Sequence, residues 1–173
     1  GFTQSYTYFT WRNTKEEFQE YLTELAQTEV AEFFSPNFWP NTPDILPEHL
    51  QTGGRPMFVA RAVLAATLSS NFGLYGPAFE LCVSEVLAPG KEEYINSEKY
   101  EIKVWDWNKP GNLKDLLTRL NRIRRENPAL QVTRNVRFCK INNDQLLAYY
   151  KATDDLSNIV LTVVNLDPRN TQS

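Results

Sequence analysis

The sequence has 173 residues, enough for a domain with a real core. Hydrophobic residues make up 42% and charged residues 23%, an ordinary globular balance, and the net charge of -3 argues against a nucleic-acid partner. No apolar run is long enough to span a membrane.

Residues 4–10 are β-rich and partly alternating, and read as a strand. Thr14 and Glu17 then have the spacing of a capping box, and Phe18, Leu22 and Leu25 fall on one helical face that runs to about Gln27, with a short turn over residues 30–34. Phe38-Trp39 gives a second short strand, which ends in Asn41-Thr42-Pro43-Asp44. Asn, Pro and Asp are turn residues, so a plain turn is one reading. The other is catalytic: Pro43 stiffens the segment, and an acid held rigidly at the end of an apolar strand is how barrel enzymes display such a group.

Gly53, Gly54 and Pro56 make a tight entry to a helix over residues 57–68 that is apolar nearly all round and so deeply buried. Residues 72–76 read as a third strand. Residues 84–111 carry little helix or strand signal, and their aromatic and charged side chains favour an ordered, functional loop. Leu113, Leu116, Leu117, Leu120 and Ile123 mark an amphipathic helix stopped by Pro128, with Arg119, Arg122, Arg124 and Arg125 on its solvated face. Beyond Pro128 the period changes to that of strands. Residues 135–141 and 145–151 flank a hairpin turn, and residues 159–166 follow a polar turn at 153–158.

Aromatic residues reach 13%, which suits a sugar-stacking surface or a dense core. Cys82 and Cys139 are expected to be buried free thiols of a reducing compartment, and His49, the only histidine, lacks the company a metal site or Ser-His catalysis requires. These residues offer no metal site. No signal-peptide pattern is present, and the missing initiator Met leaves room for a start further upstream.

Three β/α units followed by antiparallel strands imply parallel strands with right-handed crossovers, then a separate unit, with a boundary near Gln131. Three units make neither a doubly wound sheet nor a closed barrel. The expected fold is α/β: the last three units of a (β/α)8 barrel in residues 1–130, followed in 131–173 by the start of an antiparallel β-domain.

Several stretches resemble the α-amylase superfamily, and most closely its maltose-1-phosphate maltosyltransferases of the GlgE type. They are Tyr6 to Lys15, Asn41 to Glu48, Gly53 to Pro56, Arg61 to Leu68, Ser97 to Tyr100 and Val163 to Pro168, in the family's order over nearly the whole chain. The resemblance implies a retaining transfer of maltosyl from α-maltose 1-phosphate to the non-reducing end of an α-1,4-glucan, with release of phosphate. It makes Asp44 the third carboxylate, which stabilises the transition state, and makes Lys99 and Tyr100 donor-sugar contacts. Glu80 is expected to support the loop.

Amylases generally carry a histidine directly before that carboxylate. Here Thr42-Pro43 occupies the space, which weighs against the alternative of an α-glucan hydrolase or trehalose-forming isomerase. The nucleophile and the acid/base are expected upstream of Gly1, which leaves a non-catalytic carbohydrate-binding fragment as a further alternative for the chain by itself. The resemblance further implies a cytoplasmic bacterial protein, homodimeric in its complete form and working without metal or organic cofactor.

Overall fold

The computed structural model describes residues 4–173. Three short strands, β1 (Ser5–Tyr6), β2 (Pro36–Phe38) and β3 (Asn71–Phe72), form a parallel sheet in that order, with Tyr6 opposite Asn37 and Phe38 opposite Phe72. Helices α1 (Lys15–Gln27) and α2 (Val30–Phe33) separate β1 from β2, and α3 (Glu48–Thr52) and α4 (Gly54–Leu68) separate β2 from β3. After β3 come α5 (Gly76–Glu80), the long loop and α6 (Lys114–Glu126). An antiparallel sheet follows, made of β4 (Val136–Phe138), β5 (Leu146–Ala152) and β6 (Ile159–Asn165) in that order.

The strand expected over residues 4–10 stops after Tyr6, and Tyr8–Trp11 is a 3-10 turn. Side chains from elsewhere override the local β-propensity. The buried Arg61 guanidinium donates to the carbonyls of Phe9 (2.5 Å), Arg12 (2.5 Å) and Thr10 (3.4 Å), and gathering three carbonyls on one fork curls the chain. Thr10 Oγ1 then donates to Trp39 O at 2.6 Å, tying the turn to the end of β2.

Helix α1 forms as its sequence predicts. Thr14 Oγ1 accepts from Glu17 N (3.2 Å), and the Glu17 carboxylate accepts from the amides of Asn13 (2.7 Å) and Thr14 (3.0 Å), which holds its pKa below the ordinary value. Helix α4 starts earlier than its apolar run, at Gly54, and is buried on most sides. Leu64, Ala65 and Leu68 face one core and Phe58, Ala62 and Ala66 face a second.

The expected third strand is cut short at Phe72. Gly73 lies flat against the Trp39 ring, where an added Cβ would come within 2.3 Å of ring carbons, and Pro77 sits in the first turn of α5. The five-residue helices α3 and α5 leave no signal in the sequence, because little more than one turn shows no periodicity.

One correction concerns α6. Arg119, Arg122 and Arg125 are exposed as expected, but Arg124 is buried. Its guanidinium donates to the carbonyls of Ala66, Ser69 (3.0 Å) and Ser70 (2.6 Å) and lies over the Phe72 ring at 4.9 Å. The last carbonyls of α4 have no partner within their own helix, and the arginine fork supplies one. The cysteines are also corrected: both are free but only half-buried, since each follows the end of an element, α5 and β4 respectively.

Two apolar cores result. The first joins Phe9, Phe18, Leu22, Leu64 and Leu68 to Val136, Leu147, Tyr149 and Val164 of the antiparallel sheet. The second gathers Leu46, Leu50, Phe58, Phe79, Tyr94 and Leu113 beneath the loop. Among the described residues no helix is long and apolar enough to cross a membrane.

Candidate functional site

The segment after β2 makes a tight reversal at Thr42–Ile45: Thr42 N donates to Ile45 O (3.0 Å) and Ile45 N to Thr42 O (3.2 Å). Pro43 and a bond from Asp44 N to Thr42 Oγ1 (3.3 Å) stiffen it further, so Asp44 projects from a fixed backbone as its sequence setting predicts. The loop carrying the other candidates turns at Ser97, whose carbonyl accepts from Tyr100 N (2.9 Å) and Glu101 N (3.1 Å), while its hydroxyl accepts from Lys99 N (3.3 Å).

These two turns face each other. The Lys99 ammonium forms an ion pair with the Asp44 carboxylate, and the hydrogen bond and charge of Asp44 hold Lys99 above its ordinary pKa. Both side chains remain about half exposed, and Tyr100 is 84% exposed. A cleft of about 190 Å³ opens beside the pair, lined by Pro43, Asp44, Tyr94, Ser97, Lys99 and Tyr100 among others. Thus the three residues singled out in the sequence border one cleft. A carboxylate that accepts, an ammonium that donates and a phenol that does both match the hydroxyl-rich edge of a sugar.

A polar network behind the cleft holds the two turns. Asn41, fully buried, accepts from Tyr75 N through Oδ1 (3.0 Å) and donates through Nδ2 to Tyr94 Oη (2.8 Å) and Tyr75 O (3.4 Å). Burial pushes the Tyr94 phenol above its ordinary pKa, so it stays protonated at neutral pH. The Tyr75 hydroxyl donates to the Glu98 carboxylate, which also accepts from Trp105 Nε1 (3.0 Å), and these bonds lower the pKa of Glu98.

The long loop is tied to the body of the fold at several points. Glu92 O accepts from Leu46 N (2.7 Å), and the Glu92 carboxylate accepts from Trp11 Nε1 (3.1 Å). Glu80 meets the loop through its backbone carbonyl, which accepts from Leu113 N at 2.7 Å.

Asn41 and Glu98 lie inside stretches that the sequence flags, yet their roles needed the fold to become visible. Tyr75 carries no sequence signal of its own, and Tyr94 stands out only as one of the loop's aromatic residues. His49 lies apart from the cleft-lining residues on α3. Burial, and then the charge of Arg61, lower its pKa to about 2, so it is a neutral packing residue. Among the described residues no group of three potential metal ligands occurs.

The fold and the cleft define a mixed α/β protein segment with a carboxylate-bearing site just beyond the carboxyl end of a parallel strand. Its relatives are specific. Residues 138–173 match the family described as GLGE, C-terminal. The chain is 62% identical over 178 residues to the alpha-1,4-glucan:maltose-1-phosphate maltosyltransferase of Chlorobaculum tepidum, covering 99% of this chain and 26% of that protein. The proteins of the same name from Methylacidiphilum infernorum and Burkholderia pseudomallei are 58% and 53% identical over 99% and 100% of the chain, and 26% and 15% of their own lengths. Over nearly its whole length the chain is similar to one part of these maltosyltransferases, and it spans about a quarter or less of the length of these curated relatives.

Proposed function

We propose that this chain is the C-terminal part of a retaining glycosyltransferase that moves a maltosyl unit from α-maltose 1-phosphate to the non-reducing end of an α-1,4-glucan and releases phosphate. The observation that carries the reading is the ion pair of Asp44 and Lys99 across a small open cleft, on two stretches that match the family pattern. The names of the relatives favour transfer from maltose 1-phosphate over hydrolysis or isomerisation.

In this reading residues 1–130 are the last three units of a (β/α)8 barrel and 131–173 begin a C-terminal β-domain. The faces of the parallel sheet support it. Phe38 points into the first core, while Tyr6, Asn37 and Trp39 occupy the opposite face, where a closed barrel packs its interior. A carboxylate elsewhere in the longer protein attacks the anomeric carbon as phosphate leaves with the help of a glutamic acid, and a glucan 4-hydroxyl then resolves the glycosyl-enzyme.

Asp44 contributes as the third carboxylate, accepting hydrogen bonds from hydroxyls beside the reacting carbon as positive charge develops there. Lys99 and Tyr100 hold the donor maltosyl unit. A sugar entering the cleft takes over the hydrogen bond that Lys99 gives to Asp44 without it. The complete protein works in this reading without metal or organic cofactor, as a cytoplasmic bacterial homodimer.

The test is phosphate release from α-maltose 1-phosphate with maltohexaose as acceptor, using the full-length protein and its Asp44→Ala variant. A loss of roughly 100-fold or more is expected, the scale of removing one preorganised transition-state contact. Full activity in Asp44→Ala would overturn the role given to Asp44, and maltose formation without glucan elongation would overturn the transferase reading.

A further inference from the structure

We infer that Tyr75 is a positioning residue that sets the distance between Asp44 and Lys99, and with it the width of the donor-sugar site; the inference rests on the function proposed above. Asp44 and Lys99 are exposed and, among the described residues, each side chain has only the other as a polar partner. Their relative placement is therefore decided by the segments that carry them, and both segments are anchored on Tyr75.

On one side, the Tyr75 amide and carbonyl engage both ends of the Asn41 carboxamide (3.0 and 3.4 Å), three residues before Asp44 on the proline-stiffened turn. On the other, the Tyr75 hydroxyl donates to Glu98, immediately before Lys99, and the Trp105 indole N–H closes the loop onto the same carboxylate at 3.0 Å. Tyr75 is itself fixed. It follows β3 and leads into α5, and its ring meets Tyr94 edge-on at 5.6 Å, with the Tyr94 hydroxyl returning to Asn41. Burial and the Glu98 carboxylate push the Tyr75 phenol up, so it remains a donor across the neutral range. One residue thus registers the Asp44 turn through its main chain and the Lys99 loop through its side chain.

Tyr75→Phe separates the two halves, because it removes the bond to Glu98 and leaves the bonds to Asn41. In the full-length protein this variant is expected to raise amide hydrogen exchange in residues 94–105. It should also raise KM for α-maltose 1-phosphate about fivefold, the scale of one exposed charge-assisted hydrogen bond, with a smaller change in kcat. In a Lys99→Met background the added effect of Tyr75→Phe on KM should disappear, since the two act on one contact. Unchanged exchange in 94–105, or KM effects that simply add, would overturn the positioning role while leaving the proposed function intact. A Lys99→Met variant with normal KM would instead sink the donor-site role of Lys99, and the inference for Tyr75 with it.

Discussion

Lys151 carries an ammonium group into the protein on β5, fully buried opposite Val136 and Val160, and its Nζ has no hydrogen-bond partner among the described residues. Burial, reinforced by the nearby Arg124 charge, lowers its pKa to about 7 from 10.5. The sign is that of a buried base. Between about pH 7 and 10.5 the unfolded chain holds a proton that the folded chain has lost, so this group makes stability rise with pH through that window. Below pH 7 the fold bears the full cost of a buried charge. Lys151→Met should therefore stabilise the protein by on the order of 1–4 kcal/mol at pH 7, with an advantage that shrinks towards pH 10. Urea denaturation at several pH values checks this, and a pH-independent difference would contradict it. Nothing in the sequence sets Lys151 or Arg124 apart from the solvated lysines and arginines around them. Their burial depends on which strand and helix ends they meet.

Arg61 shows the same dependence at the level of an element. It lies on α4, its ring contacts are Phe9 at 4.3 Å and Phe18 at 5.2 Å, and its donors hold the 3-10 turn at Tyr8–Trp11. Arg61→Met would take the guanidinium donors from the carbonyls of Phe9, Thr10 and Arg12, leaving Phe9 O only its bond from Arg12 N. The expected loss is about 3 kcal/mol or more, measured by urea unfolding. Arg61→Lys should recover only part of it, because an ammonium lacks the planar fork; full recovery would show that charge alone suffices. The turn reads as strand in the sequence because residues 4–10 have β-propensity, while the partner that bends them lies far along the chain on α4. Helix α1 was legible because its cap and its apolar stripe are both local.

At the scale of the whole molecule, the order of the longer helices and the strands, the parallel sheet and the antiparallel sheet could be read from spacing and periodicity. The pairing of Asp44 with Lys99 could not, since it joins segments on either side of three helices and a strand, and only the family resemblance brought Lys99 forward beside Asp44. The parallel sheet has an open side as well. Among the described residues β1 pairs only with β2, and Tyr6 and Tyr8 are 63% and 64% exposed beside it. Such an edge recruits further strands. The 173-residue chain alone should show concentration-dependent association in sedimentation experiments, reduced by Tyr6→Lys, whereas a monomer at all concentrations would count against the open edge.

The antiparallel sheet shares its core with α1 and α4, and the Thr67 hydroxyl on α4 meets the Tyr149 hydroxyl on β5 at 2.6 Å. A chimera that took residues 131–173 from one relative and the preceding segment from another would cut through this joint packing. The unit that can be traded between family members therefore includes Phe18, Leu22, Leu64 and Thr67 along with the strands they touch, and it does not coincide with any single cut in the chain.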